Sequence, residues 1–291
     1  MILREKLHRD WPAAFFLAPS LLGTALFFFI PFVMVIWYAM VDNPVIMNFV
    51  GLKNFISLFQ NQAYLQAAGN TLLFSLISLP LVVGLSLGLA ILLNGKLKAR
   101  SQLRSLFLSP LLVPVASIVL VWQVIFSYNG ALNTALADFG FIPVDWLKSD
   151  SARFVIIGLY LWKNLGYNMV LFLAALSTVP VELLDSARVD GANAWERFRA
   201  ITFKYLTPTL LFTLIISFIN SFKIFRETYL LAGDYPIEVL YMLQHYMNNM
   251  FRSLDYQKLS AAAIVMALVM MAIIAILFFV ESRSGRDLEE S

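Results

Sequence analysis

Four ionisable side chains lie within long apolar stretches of this sequence: Lys163, Lys223, Arg226 and Glu227. An ionised group is costly inside a bilayer, so a chain that keeps one usually uses it. Three of the four groups are cations and one is an acid, which leaves a surplus of positive charge. These residues therefore predict a site that binds an anionic ligand, such as an oligosaccharide containing uronate or a sugar phosphate.

A structural role is the alternative for the same charges. Glu227 follows Lys223 by four residues, the spacing at which opposite charges pair along one helix. Arg226 could extend its long side chain to the membrane surface. Lys163 has no acid near it in the sequence, and a functional role is therefore favoured most strongly for this residue.

Aromatic, amide and hydroxyl side chains cluster in the sequence around the two lysines. A sugar ring needs an apolar platform with hydrogen-bonding groups around it, and this combination of side chains supplies both. The candidate binding residues in this pattern are Tyr160, Lys163, Asn164, Tyr167, Asn220, Ser221 and Lys223.

The elements that carry these residues are predicted to be membrane-spanning helices. Of the 291 residues, 60% are hydrophobic and 13% are charged, whereas a soluble domain is about half apolar and about a quarter charged. A helix needs about 20 apolar residues to cross the hydrocarbon core. Six segments are long enough: residues 13–40, 71–93, 105–126, 154–176, 207–231 and 260–280. We therefore predict an all-α membrane protein with six transmembrane helices in a single domain over residues 1–291.

Lysine and arginine are distributed unevenly between the predicted loops. They concentrate at the N-terminus, in the second and fourth loops and in the tail, as Arg4, Lys6, Arg9, Lys96, Lys98, Arg100, Arg104, Arg188, Arg197, Arg199, Lys204, Arg283 and Arg286. Loops rich in these residues face the cytoplasm. Both termini are therefore predicted to be cytoplasmic. At about 1.5 Å per residue, Lys163 and Lys223 are predicted to lie at similar depths in the outer half of the membrane.

The first apolar segment follows a basic head, as the apolar part of a signal peptide does. It is longer than such a part, however, and no small-x-small cleavage site follows it. We therefore predict that this segment is a retained membrane anchor.

The residues that several other classes of protein require are absent from this sequence. There is no cysteine, and the two histidines, His8 and His245, are far apart, so a metal centre is not predicted. The motifs H-E-x-x-H, G-x-S-x-G and G-x-x-x-x-G-K-[ST] are absent, which argues against an intramembrane hydrolase and against an ATPase. A secondary carrier would normally use coupling carboxylates at mid-membrane. Glu227 is the one acid within a predicted span, and it is off-centre.

One charged segment, ELLDSARVDGANAWERFRAIT at residues 182–202, lies between the fourth and fifth apolar segments. Its apolar residues recur at three- and four-residue steps and form a stripe, which comprises Leu184, Ala187, Gly191, Trp195 and Phe198. An amphipathic element of this kind is suited to docking in a groove of a cytoplasmic partner. The alternative is a loop that is merely solvated.

The turn signals in this segment favour the docking element. Asn193 and Glu196 have the spacing of a helix N-cap with its capping-box partner. Asp190-Gly191 before them predicts a sharp turn, since glycine adopts positive φ without steric cost. We therefore predict two short helices with a bend between them, in a cytoplasmic loop over residues 177–205.

The same residues resemble the "EAA" loop of permease subunits from binding-protein-dependent ABC importers. Asp185-Ser186-Ala187, Gly191 and Ile201 keep the spacing of that motif. Aspartate replaces its glutamate, serine replaces its first alanine, and Phe203-Lys204 replaces its Leu-Pro. The runs FVGLKNF, NTLLFS, LSPLLVPVASIVLVWQVIF, GALNTAL and SFKIFRETYLLAGDYP extend the resemblance along nearly the whole chain, and it is closest to the carbohydrate branch.

The resemblance implies a type I ABC importer permease fold in a bacterial cytoplasmic membrane. It implies docking on an ATPase through Asp185, Ser186, Ala187, Asp190, Gly191, Ala192, Trp195, Phe198, Arg199 and Ile201. It also adds Trp122 to the candidate substrate pathway, because the corresponding span lines the cavity in the family.

The partners that the resemblance implies are a second homologous permease, two ATPase subunits, an extracytoplasmic solute-binding protein, a saccharide and membrane lipid. No nucleic acid is implied. ATP and Mg²⁺ are expected on the ATPase, so this chain is expected to bind no cofactor and to be a transport subunit rather than an enzyme. Glycerol-phosphate permeases are close relatives of this family, and a substrate of that class is the alternative.

Overall fold

The computed structural model of the protein describes residues 16–95 and 100–289, and it describes side-chain surroundings as far as residue 280. All regular elements in these ranges are helices. We number them α1 (Phe16–Ala39), α2 (Lys53–Phe59), α3 (Gln62–Asn94), α4 (Arg100–Leu112), α5 (Val115–Phe126), α6 (Ala131–Ala137), α7 (Ala152–Leu176), α8 (Val181–Val189), α9 (Ala194–Arg197), α10 (Phe203–Lys223), α11 (Phe225–Ala232), α12 (Leu243–Arg252) and α13 (Tyr256–Glu289).

Six helical stretches among the described residues are long and apolar enough to cross a membrane. They are Phe16–Ala39, Gln62–Asn94, Val115–Ala137, Ala152–Leu176, Ala194–Ala232 and Tyr256–Val280. Each overlaps one of the six predicted segments, so the number of spans is confirmed. The start of the first prediction, at residues 13–15, and the basic residues of the N-terminus and of positions 96 and 98 lie outside the described residues.

The third span differs from its prediction. A continuous helix was expected over residues 105–126, but α4 ends at Leu112 and α5 begins at Val115. Pro114 is the cause: its ring disfavours helical geometry at Val113, and it has no N–H to continue the helix. Its own ψ of 138° is extended. The predicted span is therefore two helices, of which α4 is too short to cross a membrane alone.

The fifth span is also interrupted. Ile224 forms a turn between the end of α10 at Lys223 and the start of α11 at Phe225. Neither glycine nor proline occurs here, and nothing in the local sequence predicted the interruption. Pro208, by contrast, lies inside the continuous α10.

The described chain divides into two compact units. One comprises the chain up to Gln62 together with Met247–Val269, and the other comprises Ala63–Tyr246 together with the chain from Met270. In the first unit, the Asn54 side chain donates to the carbonyls of Ala39 (3.0 Å) and Val41 (2.8 Å), which fixes the chain where it leaves α1. The single domain predicted from the sequence stays a prediction.

The second unit is organised around α7. Tyr160, Phe172 and Met169 of this helix are completely buried. At Gly166 the backbone of α4 comes so close that a β-carbon would lie 1.8 Å from the carbonyl oxygen of Phe107. Glycine is therefore required at this crossing, since any side chain would overlap backbone atoms that cannot move independently of α4.

Replacing Gly166 with alanine should separate α4 from α7. Overpacking in a close-packed interior costs about 1–3 kcal/mol, so the Gly166→Ala variant should show a thermal transition several degrees below that of the wild type. Gly158→Ala is the matched control on the same helix, because its β-carbon would lie an ordinary 3.5 Å from the Trp122 ring. Equal melting temperatures for the two variants would contradict the close contact.

Candidate functional site

A polar cavity of about 150 Å³ opens in the second unit, beside the interruptions of the third and fifth spans. It is lined from α4, α7, α10 and α11 and from the turn between the last two, by Leu111, Tyr160, Lys163, Asn164, Asn220, Lys223, Ile224, Arg226 and Glu227. Leu111 is next to the last residue of α4, and Ile224 is the turn itself. Each break thus ends a helix at the cavity wall.

Lys163 and Glu227 form an ion pair across this cavity wall, between Nζ and Oε1. They lie on different helices, α7 and α11. Glu227 is only 3% exposed, whereas Lys163 is 22% exposed. Lys163 has no acid near it in the sequence, but it is paired in the fold with an acid 64 residues away. The i,i+4 pair between Lys223 and Glu227, considered as the structural alternative, is therefore wrong.

The positive surplus of the cavity belongs to Lys223 and Arg226. Both side chains are exposed and line the cavity. Neither forms an ion pair with any residue that the structure describes. Two such cations that line one small cavity favour an anion there. The groups available to an anionic ligand are therefore these two rather than Lys163.

The amides near the cavity are already engaged with the protein. The Asn220 amide nitrogen donates to the side-chain oxygen of Asn164 (3.2 Å), and the amide nitrogen of Asn164 donates to the carbonyl of Tyr160 (2.8 Å). The buried hydroxyl of Tyr160 donates to the carbonyl of Ser217 (2.6 Å). The Asn220–Asn164 and Tyr160–Ser217 bonds join α7 to α10, whereas the Asn164–Tyr160 bond lies within α7. Tyr160 is thus committed to holding the helices together, while the two asparagines keep unused hydrogen-bonding capacity at the cavity wall.

The structure brings five of the eight predicted pathway residues to the cavity and leaves three elsewhere. Ser221 is buried against Ser75, with 2.9 Å between their hydroxyl oxygens. Trp122 stacks on Phe126 at a centroid distance of 5.0 Å. Tyr167 is half-buried and does not line the cavity. Arg226 and Glu227 also line the cavity. They are not among the eight residues predicted for the pathway, although the sequence shows both as charges within a span.

The bend in the charged segment forms as predicted. Gly191 has a φ of +84° between α8 and α9. The Asn193 side chain accepts from the backbone N–H groups of Trp195 and Glu196, each at 3.0 Å. The carboxylate of Glu196 accepts in turn from the backbone N–H of Asn193 at 2.7 Å. The capping box therefore fixes the first turn of α9.

The second helix is not a separate element, which corrects the prediction. α9 continues through a π-helical turn, Phe198–Thr202, directly into α10. The loop is therefore one short helix, a bend, and the beginning of the fifth span. A π-helical turn inserts one residue into a helix and often occurs at functional positions.

The predicted apolar stripe is only partly formed. Leu184, Ala187 and Phe198 are half-buried. Trp195 is 67% exposed and stacks on Phe198 at 5.7 Å, and Val189 is 89% exposed. Exposed apolar groups that lie together form a patch that can bind another protein or a membrane. The other predicted docking residues with large exposure are Gly191 and four polar residues, Asp185, Ser186, Asp190 and Arg199.

His245, the one histidine in the described part of the chain, is completely buried at the start of α12. Its Nδ1 accepts from the backbone N–H of Met242 at 3.3 Å. Burial lowers its pKa to about 4, against a smaller opposite effect of Asp234. The imidazole is therefore neutral at physiological pH.

Residues 80–289 match the model of the family described as "binding-protein-dependent transport system inner membrane component". The chain belongs to this family. It is therefore a multi-pass inner-membrane permease subunit of an ABC importer, and not an enzyme.

Curated relatives agree with this assignment. The trehalose/maltose transport system permease protein of Thermococcus litoralis is 31% identical over 241 residues, which cover 82% of this chain and 81% of the relative. The sn-glycerol-3-phosphate transport system permease protein of Yersinia pestis is 29% identical over 281 residues, which cover 94% and 95%.

Solved structures show the same fold. A chain of a bacterial ABC transporter that imports the acidic polysaccharide alginate superposes with a TM-score of 0.83 at 24% identity, covering 97% of this chain and 99% of that chain. A chain of the alginate transporter in complex with an alginate pentasaccharide-bound periplasmic protein gives a TM-score of 0.82 at 23% identity, covering 95% and 96%. The predicted type I importer permease fold is therefore confirmed.

Removing one charge of the Lys163–Glu227 pair should destabilise the helix bundle. Removing one partner of a buried pair costs about 3 kcal/mol or more, because the other charge is left unneutralised. Glu227→Gln or Lys163→Met alone should therefore lower the thermal transition markedly. The double variant Lys163→Met/Glu227→Met should recover much of the loss.

Lys223→Met is the control for this comparison, because it removes a cation of the same cavity that has no described ion-pair partner. It should change the transition little. A double variant whose loss equals the sum of the two single losses would contradict an energetic coupling between Lys163 and Glu227.

Proposed function

We propose that this chain forms half of the translocation pathway of an ATP-driven importer for acidic saccharides. The observation that carries the proposal is the pair of cations, Lys223 and Arg226, beside a small polar cavity. In this proposal they contact the carboxylates of a passing uronate unit. The asparagines at positions 164 and 220 contact its hydroxyls.

The names of related permeases support a saccharide as the cargo. One relative is described as a trehalose/maltose permease, and the fold matches that of an importer for an acidic polysaccharide. A glycerol-phosphate permease is similar over nearly the whole chain, so a sugar phosphate or glycerol phosphate is the second candidate. Both candidates are anions, and the same two cations would contact either.

The rest of the proposed assembly follows the family. A second, related permease completes the pathway, and a solute-binding protein delivers the cargo from the outside. The assembly contains two ATPase subunits, and one of them docks on the segment from Asp185 to Ile201, with Trp195 and Val189 in the contact. In support of this docking, the segment keeps the spacing of the EAA motif and exposes apolar groups at a fixed bend.

The cargo proposal predicts a selective loss of transport. In proteoliposomes that contain the complete importer, Lys223→Met/Arg226→Met should reduce uptake of an oligouronate at least tenfold, since each charge-assisted contact contributes about 1.5–3 kcal/mol. Uptake of a sugar phosphate and of glycerol phosphate is measured in parallel, and transport of either one in place of the oligouronate would favour the second candidate. Binding of cargo to the isolated solute-binding protein should not change.

Lys148→Met/Arg153→Met is the matched control, because it removes two cations from outside the cavity. It should leave oligouronate uptake near the wild-type rate. Unchanged uptake in the Lys223/Arg226 variant, or equal losses in both double variants, would overturn the assignment of these cations to the cargo.

The docking proposal predicts that Gly191 is needed for coupling. At a φ of +84° every L-residue is strained, yet no atom lies within 4 Å of a β-carbon built there. A substitution therefore acts through the backbone and not through a clash. Gly191→Pro and Gly191→Ala should hydrolyse more ATP per molecule imported, and Gly191→Pro should be the more severe.

Gly191→Asn is the matched control for this series, because asparagine tolerates positive φ better than other non-glycine residues. Its ratio of ATP hydrolysis to import should lie between those of wild type and Gly191→Ala. Wild-type coupling in Gly191→Pro would contradict the role of the bend.

A further inference from the structure

A second cleft, of about 400 Å³, lies at the opposite end of the contact between α4 and α7. It is lined by Asn94, Arg100, Ser101, Arg104, Val170, Leu173, Ala174 and Ser177. None of these residues lines the first cavity. The cleft is on the side that the distribution of lysine and arginine predicts to be cytoplasmic.

The cleft begins beyond the close backbone contact between α4 and α7. Gly166 of α7 meets Phe107 of α4 backbone to backbone. Toward the start of α4 and the end of α7, the next lining residues are Arg104 and Val170. The two helices are therefore antiparallel here, and the cleft lies between the start of one and the end of the other.

Two arginines supply the charge of this cleft. Arg100 and Arg104 are one helical turn apart on α4, and neither has an ion pair with a described residue. The sequence contains no acidic residue between Asp42 and Asp138. No acid on α3, α4 or α5 can therefore neutralise them. Paired guanidinium groups bind phosphate or carboxylate oxygens with strong, directional hydrogen bonds.

The other wall of the cleft is largely apolar, with Ser177 as its one polar lining residue. Val170, Leu173 and Ala174 come from the membrane-spanning α7, and the polar side chains of Asn94 and Ser101 lie with the arginines. A ligand that fits both walls has an anionic head joined to a hydrocarbon chain. Basic sites between membrane helices on the cytoplasmic side bind lipid head groups of this kind.

We propose that this cleft binds one anionic phospholipid of the inner leaflet. Its phosphate contacts Arg100 and Arg104, and an acyl chain lies against Val170 and Leu173. The alternative role of the two arginines, to orient the chain in the membrane, needs neither a cavity nor an apolar wall. This site is independent of the proposed cargo.

Lipid retention by the assembled importer tests the proposal. The full-length chain, in its complex, is incorporated in nanodiscs of phosphatidylglycerol and phosphatidylcholine, extracted in detergent, and measured by native mass spectrometry. The wild type should retain phosphatidylglycerol in preference to phosphatidylcholine. Arg100→Gln/Arg104→Gln should weaken that retention by roughly tenfold to thirtyfold, which corresponds to the loss of two basic contacts.

A second variant keeps both charges and fills the cleft. Ala174 is exposed on the apolar wall, so Ala174→Trp should fold and should also displace the lipid. Lys148→Gln/Arg153→Gln removes two cations outside the cleft and should retain phosphatidylglycerol as the wild type does.

Three results would overturn the proposal. The first is equal retention by the wild type and both cleft variants, and the second is equal retention of phosphatidylcholine. The third is displacement of the lipid by millimolar inorganic phosphate or by a soluble oligouronate, which would assign the arginines to a free anion or to cargo.

Discussion

The ion pair between Lys163 and Glu227 decides how the charges of this bundle are used. Glu227 is the one acid in a region of three cations, and it is almost completely buried. A carboxylate in such surroundings must be neutralised by a partner with good geometry. Because that partner is Lys163 from α7, α11 is tied to the central helix. Lys223 and Arg226 remain available at the cavity. The position of one acid thus sets both the packing of the fifth span and the charge that a ligand meets.

The sequence predicts the features that depend on local composition. Length and hydropathy identify all six spans. The Asn193–Glu196 spacing identifies the capping box, since both partners lie within one turn. The sequence also contains Pro114, but it does not show whether the helix continues past this proline, as helices do at Pro80 and Pro208. At Pro114 the helix does not continue, and α4 ends near the cavity, where Leu111 is a lining residue.

The features that depend on partners from distant helices could not be predicted. Lys163 has no acid near it in the sequence, so its pairing with a residue 64 positions away could not be predicted. Trp122 and Ser221 had the right residue types for a binding site. Packing decides their surroundings, and it directs Trp122 to Phe126 and Ser221 to Ser75. The type of side chain therefore identifies candidate binding residues, but the contacts between helices decide which of them reach the cavity.

The geometry of the fifth span gives the proposed coupling a physical route. The helical path from Ala194 to Lys223 is unbroken, with one π-helical turn, and at about 1.5 Å per residue it is about 45 Å long. One end carries the capped bend and the exposed Trp195. The other end is Lys223 at the cavity, followed by the turn at Ile224. A force applied at the bend therefore acts on the cavity wall without passing through a loop.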